Sequence, residues 1–579
     1  MNLYWVALIT GSLYLAAYFS YGRFLARRFD LKDNRQTPAC LVNDGVDFVP
    51  AKKRFLLGQH FSAIAAAGPI VGPILAGLWF GWLPVLLWIV GGAIFFGAVH
   101  DFSTLVGSVK HRAISIVEMM KEYLGKKGHL FFLLFVWLSL IYVITAFTDL
   151  TSSSFVDPEL GGGVATSSFL YLLIGVVMGI ALYLFKMPLG VATVIFLPLV
   201  LLAIWFGQSF PITLPAQTFL SPQQSWNLIL LAYCLIASII PVWILLQPRG
   251  YLGGFFLYAT LAAGVVGLFL GGEKIEYPAF IGFTSAKGVP LFPLLFVTVA
   301  CGACSGFHGI VSSGTTSKQI AKESDCHMVG YGGMLLEGFV ALIALSTVMI
   351  LSKQDALASA SPDRIYAEGL ARFVAHLGIP VAFARSFALL AFTTFIYDTL
   401  DVATRLARYI FQELTGWKES WGRVVATVAS LAIPLFCVSL KITDPQGNLI
   451  PAWKIFWTIF GTSNQLLAAL TLMMVSIWLA RTGKPWWVSA APMFFMLTMT
   501  LWSLVLMMKP NMIGAVAVLL FILAVLLVME GLRSIPLSLA LSPPPEADPP
   551  SAGKGRGEKG KFLSPLGGED KGEGAKSPS

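Results

Sequence analysis

Charge is what this chain has least of. Of its 579 residues, 12% are Asp, Glu, Lys or Arg, about half the ~25% usual for soluble globular chains. So little charge cannot cover a soluble surface, which excludes a string of soluble domains. Nucleotide signatures are missing: no Gly-rich loop leads into a Lys-Ser or Lys-Thr pair at Walker spacing. That argues against ATP-driven transport through this chain. The six cysteines (Cys40, Cys234, Cys301, Cys304, Cys326 and Cys437) are scattered, mostly in or beside apolar runs. They make no disulfide framework. The N-terminus has neither a basic leader nor a small-residue cleavage site before its apolar run at 3–21. It reads as a retained first span, not a signal peptide.

What is abundant is apolar sequence. Hydrophobic residues make up 56% of the chain and the mean hydropathy is +0.77. A spanning helix takes ~20 apolar residues, so about fifteen spans would use ~300. Apolar runs bounded by Gly, Pro and charge give fifteen: 3–21, 60–79, 83–106, 130–149, 168–186, 189–207, 227–246, 251–270, 291–316, 329–351, 382–404, 422–440, 455–480, 487–507 and 511–530. Alternate loops on one side of these spans collect 30 of the 39 Lys and Arg residues. By the positive-inside rule the N-terminus is expected outside and the C-terminus in the cytoplasm. The same topology accounts for the +9 net charge without a nucleic-acid partner.

The expected architecture is an all-α polytopic membrane protein. Residues 1–58 give the first span and a cytoplasmic linker, and 59–535 the transmembrane domain. Residues 536–579, rich in Pro, Gly, Lys and Glu, have too few apolar residues to fold and are expected to be a disordered, solvated cytoplasmic tail.

Two spans contain segments that resist helix. The second holds Ala65-Ala66-Ala67-Gly68-Pro69-Ile70-Val71-Gly72-Pro73. Pro69 and Pro73 have no N–H, so the carbonyls of Ala65 and Pro69 lose their donors. Irregular backbone at mid-depth is tolerated where it is buried or lines a polar cavity; a packing kink is the alternative reading. The ninth holds Cys301-Gly302-Ala303-Cys304-Ser305-Gly306-Phe307-His308-Gly309-Ile310-Val311-Ser312-Ser313-Gly314. Its small residues also suit close helix packing. Cys301, Cys304 and His308 fall at i, i+3 and i+7, one face of a helix. Structural zinc takes four ligands and no second pair completes this set, so no metal is expected. The two broken spans are an odd number apart and so run in opposite directions, the pattern of inverted-repeat secondary transporters. Half-helix N-termini there can hold an anionic group and freed carbonyls a cation. The expected substrate residues are therefore Gly68, Pro69, Gly72, Pro73, Ser305, Gly306, His308, Ser312 and Ser313, with the Ala65 carbonyl available to an ion.

A carboxylate inside a span is a functional candidate by default. Glu337 sits among apolar neighbours with no Lys or Arg within a turn, which makes it the leading proton carrier. Asp398 is the runner-up, and Thr393 and Thr394 one turn away offer oxygens to a sodium ion instead. Asp401 has Arg405 four residues on, so a helix-end ion pair is expected there. His100 and Asp101 read as closing the third span at the cytoplasmic face, and His60 as interfacial.

These residues carry a resemblance. The chain is similar to the carbon starvation protein A family of bacterial inner-membrane transporters. The matching segments are Asn43-Asp44-Gly45-Val46-Asp47-Phe48-Val49-Pro50, Gly58-Gln59-His60-Phe61 through Pro73, His100-Asp101-Phe102, and Ser305 through Lys318. They continue with Thr399-Leu400-Asp401-Val402-Ala403-Thr404-Arg405 and with Phe460-Gly461-Thr462-Ser463-Asn464-Gln465 through Ala469. Gln59 stands where the family often has a first histidine. The resemblance implies nutrient uptake under carbon starvation, with peptides or, through proton symport, pyruvate as cargo. It also implies kinship with the amino acid–polyamine–organocation superfamily, whose core is a five-plus-five inverted repeat with broken first and sixth helices. Here seven spans, not five, separate the breaks.

The resulting expectation is a secondary transporter of a small anionic substrate, coupled to a proton or else a sodium ion. Its partners are that substrate, the ion and the bilayer, with no cofactor and no catalytic residue. A membrane enzyme lacks a His–carboxylate–nucleophile set in one region. A sensor or scaffold lacks a sizeable cytoplasmic domain.

Overall fold

The computed structural model describes residues 2–44, 48–216, 220–241, 243–286, 288–417, 419–440 and 450–534. The expected tail at 536–579 lies outside the described residues. Among those described there is no β-strand beyond isolated bridges. Among the described residues twelve helices are long and apolar enough to cross a membrane, or thirteen with one bent pair counted as a single span.

In chain order these and their companions are α1 (Leu3–Arg28), α2 (Lys53–Ile64), α3 (Gly68–Phe80), α4 (Trp82–Lys110), α5 (Ile116–Phe155), α6 (Gly161–Tyr183), α7 (Leu189–Gly207), α8 (Pro222–Ile239) and α9 (Leu246–Leu270). The short α10 (Leu291–Thr298), α11 (Ala300–Ala303) and α12 (Gly306–Gly314) follow. Then come α13 (His327–Met349), α14 (Pro362–Ala375), α15 (Val381–Thr415), α16 (Trp421–Ser439), α17 (Ala452–Arg481), α18 (Trp487–Met507) and α19 (Met512–Ser534). Two expected spans have counterparts outside the twelve or thirteen. One is the 18-residue α8, and the other is the run of short helices α10 to α12.

Local sequence explains the irregularities. A capping box starts α5: Ser115 Oγ accepts from the Glu118 N–H, and Glu118 accepts from the Ser115 N–H. Gly125, at φ +72°, then kinks that helix where a side chain would be strained. This turns the expected loop at 110–127 into the first turns of a 40-residue helix. Between 353 and 381, where a plain loop is expected, α14 buries Ile365, Tyr366, Leu370 and Phe373 on one side. At 14 residues it is too short to cross a bilayer.

Burial separates centre from rim. In its most apolar stretch α17 is 94% buried, whereas α7 is 28% buried. The centre of the bundle comprises α17, α13 and α5, and α17 packs along both α5 and α18. Its N-terminus is capped from outside the helix: Asp149 of α5 accepts from the Trp453 N–H at 2.9 Å while Asn227 and Gln223 donate to it at 2.9 and 3.0 Å. A carboxylate at a helix N-terminus is favoured by the unpaired N–H groups there.

Candidate functional site

The second span breaks once. Ala65 leaves the helix with ψ +83°, and α2 and α3 meet at 47°. Pro69 falls in the first turn of α3, where its missing N–H is no loss. Pro73 sits inside a continuous α3, so the expected double break is single and lies at 65–67. In the ninth span the helix is lost at Cys304 and Ser305, which are both extended, and resumes at Gly306. Cys304 therefore does not share one helical face with Cys301 and His308.

The two interrupted spans are in direct contact. A Cβ on Gly68 would stand 2.3 Å from Cys301 Sγ, and one on Gly72 2.3 Å from the Thr298 carbonyl oxygen. Pairings that rise along one segment while falling along the other describe antiparallel packing. Gly306 is as tightly held, 2.4 Å in the same sense from the Asn464 carbonyl of α17. The Asn464 side chain fills the second break: Oδ1 accepts from the Phe307 N–H at 3.0 Å, and Nδ2 donates to Ser305 Oγ at 3.0 Å. Ser313 Oγ donates to the Gly309 carbonyl and accepts from the Ile116 N–H, whereas Ser312 Oγ is buried with no partner.

One turn beyond that break, three helices converge on His308. Its Nδ1 lies 2.8 Å from Asp101 Oδ2 of α4, and its Nε2 3.1 Å from Glu337 Oε2 of α13. Asp101 Oδ1 is in turn 2.8 Å from His100 Nδ1. No member is more than 1% exposed. The backbone brings them there through π-helical turns at 93–97 in α4 and 327–332 in α13. Such turns rotate the residues that follow and recur at functional sites. Gly97 lets α4 approach the Ala303 carbonyl, where a Cβ would stand 2.3 Å away. His60, from α2, bonds Thr316 at 2.9 Å and is 1% exposed. His100, Asp101 and His60 are thus all buried among helices, with α4 running on past the first two to Lys110.

The chemistry of the chain follows from its order: Glu337, His308, Asp101, His100. An imidazolium donates from both nitrogens and so satisfies a carboxylate on each side. A neutral imidazole donates from one nitrogen and accepts from a protonated carboxyl at the other. A proton can pass between His308 and Glu337 with no heavy atom moving far. The His308–Glu337 approach is an ion-pair distance and not an aligned hydrogen bond: both Glu337 carboxylate oxygens, like His100 Nε2 and His60 Nε2, have no hydrogen-bond partner.

A second ionic cluster lies elsewhere, and it corrects two expectations. Arg249, one of the 30 Lys and Arg residues assigned to the cytoplasmic-side loops, is buried in α9 at 1% exposure. Asp401 pairs with it, Nη1 to Oδ2 at 2.5 Å, and not with Arg405. Arg405 donates instead to the Ala237 and Ile240 carbonyls, and Arg408 to Ser238. Both cap the carboxyl end of α8, where unpaired carbonyls favour cations. Asp398 Oδ1 accepts from Arg249 Nε and Nη2 at 3.0 and 2.6 Å. Thr393 donates to the Leu390 carbonyl, and Thr394 Oγ1 is buried without a partner.

Sequence reading thus missed Asp101, His100, Arg249 and Asn464. The signal was present for three of them: residues 100 and 101 fall inside the apolar run 83–106, and Arg249 is the lone charge between 227 and 270.

A family model described as carbon starvation protein CstA matches residues 2–365 and 352–503. A peptide transporter CstA of Helicobacter pylori (strain J99) is 32% identical, with 88% of this chain and 83% of the relative covered. The Escherichia coli K12 peptide transporter CstA is also 32% identical, over 86% and 80%. The pyruvate/proton symporter BtsT of the same strain is 30% identical, over 86% and 81%. Among solved structures, MhsT in complex with L-phenylalanine is 13% identical over 84% of this chain and 99% of that one, with a TM-score of 0.43. A likeness of that size carries no argument.

Proposed function

The chain belongs to the carbon starvation CstA family of membrane transporters, and on that premise we propose that it imports a small anionic nutrient in symport with protons. The cargo is a pyruvate-like carboxylate or a short peptide, and the membrane is the bacterial inner membrane. The observation that carries the coupling is His308 held between two buried carboxylates of other helices, one turn from a broken span. Such a chain stores a proton away from water and changes its charge when the proton leaves. The substrate belongs beside it, at the interrupted backbone around 65–73 and 304–313, where half-helix N-termini favour an anion. Fifteen passes with the N-terminus outside remain our reading. Each expected span has a helix or helix run at its place, and the segregation of Lys and Arg supports the direction. The antiparallel contact of the two breaks supports an inverted repeat of the amino acid–polyamine–organocation kind.

The test is uptake into proteoliposomes of labelled pyruvate and labelled dipeptides. An inside-alkaline pH gradient is to drive accumulation of one of the two, while a sodium gradient at equal pH on both sides does not. Accumulation that ignores the pH gradient and follows sodium would refute proton coupling.

A further inference from the structure

The Arg249 cluster has an imbalance that packing alone does not explain. One guanidinium faces two carboxylates across α9 and α15. Asp398 is satisfied by two guanidinium N–H groups on Oδ1. Asp401 Oδ2 accepts from Tyr233 at 2.8 Å and meets Arg249 Nη1. Asp401 Oδ1, in a side chain with no exposure, has no hydrogen-bond partner. Other titratable groups near enough to feel Asp401 are Tyr171 of α6, Cys234 of α8 and Tyr397 of its own helix. None of them is a cation. Arg405, one turn on, directs its guanidinium at the end of α8.

A buried carboxylate oxygen left bare as part of an uncompensated anion is far costlier than a bare neutral hydroxyl. A proton on Oδ1 removes the excess charge. It leaves Oδ2 as a carbonyl oxygen, which still accepts from Tyr233 and Arg249. Gly253 makes the space: a Cβ there would stand 2.9 Å from Asp398 Oδ2 and 3.2 Å from the Tyr171 hydroxyl. Asp398 is the member that reaches outward, at 17% side-chain exposure. We infer that the Arg249–Asp398–Asp401 cluster is a second proton-binding site, holding one exchangeable proton on Asp401 Oδ1. The reaction is simple protonation, a carboxylate and a hydronium ion giving a carboxylic acid and water. The inference does not rest on the role given to Glu337.

Infrared difference spectroscopy of the full chain in lipid vesicles tests it. At neutral pH the wild type should show the C=O stretch of a protonated carboxyl that is lost in Asp401→Asn and retained in Glu337→Gln. Tyr233→Phe removes one hydrogen bond to Oδ2 and keeps the carboxyl, so it should shift that band without deleting it. This guards against Asp401→Asn failing to fold. A band unchanged by both Asp401→Asn and Tyr233→Phe would overturn the assignment. So would a band that vanishes when sodium replaces choline at constant pH, since the site would then hold a metal cation. Loss of the band in Glu337→Gln alone would place the proton on the other chain and likewise overturn it.

Discussion

The two buried ionic clusters have the same number of carboxylates and differ in what stands between them. Glu337 and Asp101 flank an imidazole; Asp398 and Asp401 flank a guanidinium. A guanidinium stays charged across the whole accessible pH range, so its cluster can change charge only on a carboxylate. Imidazole titrates near neutrality in water, so in the first cluster the bridge itself can gain and lose the proton. Their surroundings differ in the same direction. His308 sits one turn from a break in its helix, whereas Asp398 and Asp401 lie within the unbroken α15. Two clusters that look alike as lists of charges therefore differ in what can titrate: in one the bridge itself can carry the proton, while in the other a fixed cation ties α8, α9 and α15 together and only a carboxyl can take a proton.

The largest expected effect breaks the first cluster. Glu337→Gln keeps the shape and removes the titration, and His308→Ala removes the bridge. Gradient-driven accumulation should fall to background in both, while downhill exchange of substrate stays measurable in Glu337→Gln. Intact accumulation in Glu337→Gln with an unchanged pH profile would move the coupling role away from the imidazole cluster.

The next effect is on stability and belongs to the second cluster. Arg249→Met leaves the Asp398 carboxylate without its cation and Asp401 without a hydrogen-bond donor, and removing one partner of a buried ion pair costs about 3–5 kcal/mol. Thermal unfolding in detergent should show a strongly destabilised protein. The triple change Arg249→Met, Asp398→Asn, Asp401→Asn should recover most of that loss, because no uncompensated charge remains. If the single change is tolerated, the cluster does not hold the helices together.

How much of this was legible beforehand depends on the physics of each element. The spans were readable because a bilayer demands long apolar runs, and the interruptions were visible at mid-depth, the first as Gly and Pro and the second as a run of small and hydroxyl residues. The position of the first break was misjudged because proline is harmless in a helix's first turn, and Pro69 occupies one. Glu337, Asp398 and His308 were visible as polar residues in apolar surroundings. Their partners were not. Asp101 and His308 are 207 positions apart, Arg249 and Asp398 149, and nothing local encodes such meetings. Arg405 misled for a related reason: spacing of four on a helix permits a pair, but the bare carbonyls at the end of α8 compete for the same guanidinium.

A smaller effect separates the glycines of the broken spans. Gly72→Ala would drive a methyl into the Thr298 carbonyl, a backbone atom that cannot turn aside, and overpacking of this kind costs about 1–3 kcal/mol. Gly91→Ala, in the same bundle, meets nothing within 4 Å and should leave the unfolding temperature unchanged or slightly raised. Equal behaviour of the two would mean that the contact between the broken spans is loose.

The smallest expected effect concerns Asn464, which supports the imidazole cluster without carrying charge. Its Oδ1 accepts the Phe307 N–H at the start of α12, and its Nδ2 holds Ser305 Oγ and lies 3.2 Å from Cys301 Sγ. Asn464→Ala removes a cap, which costs about 1 kcal/mol, and should lower stability modestly. Asn464→Asp keeps the acceptor and so keeps most of the stability, since an anion suits a helix N-terminus. It also sets a negative charge at the backbone break where the anionic substrate is proposed to bind. The expected result is a raised KM with stability near wild type, the reverse of the Asn464→Ala pattern. A KM that does not change in Asn464→Asp would mean that the substrate binds away from this helix end, and the anion site would then have to be sought on the α3 side of the break.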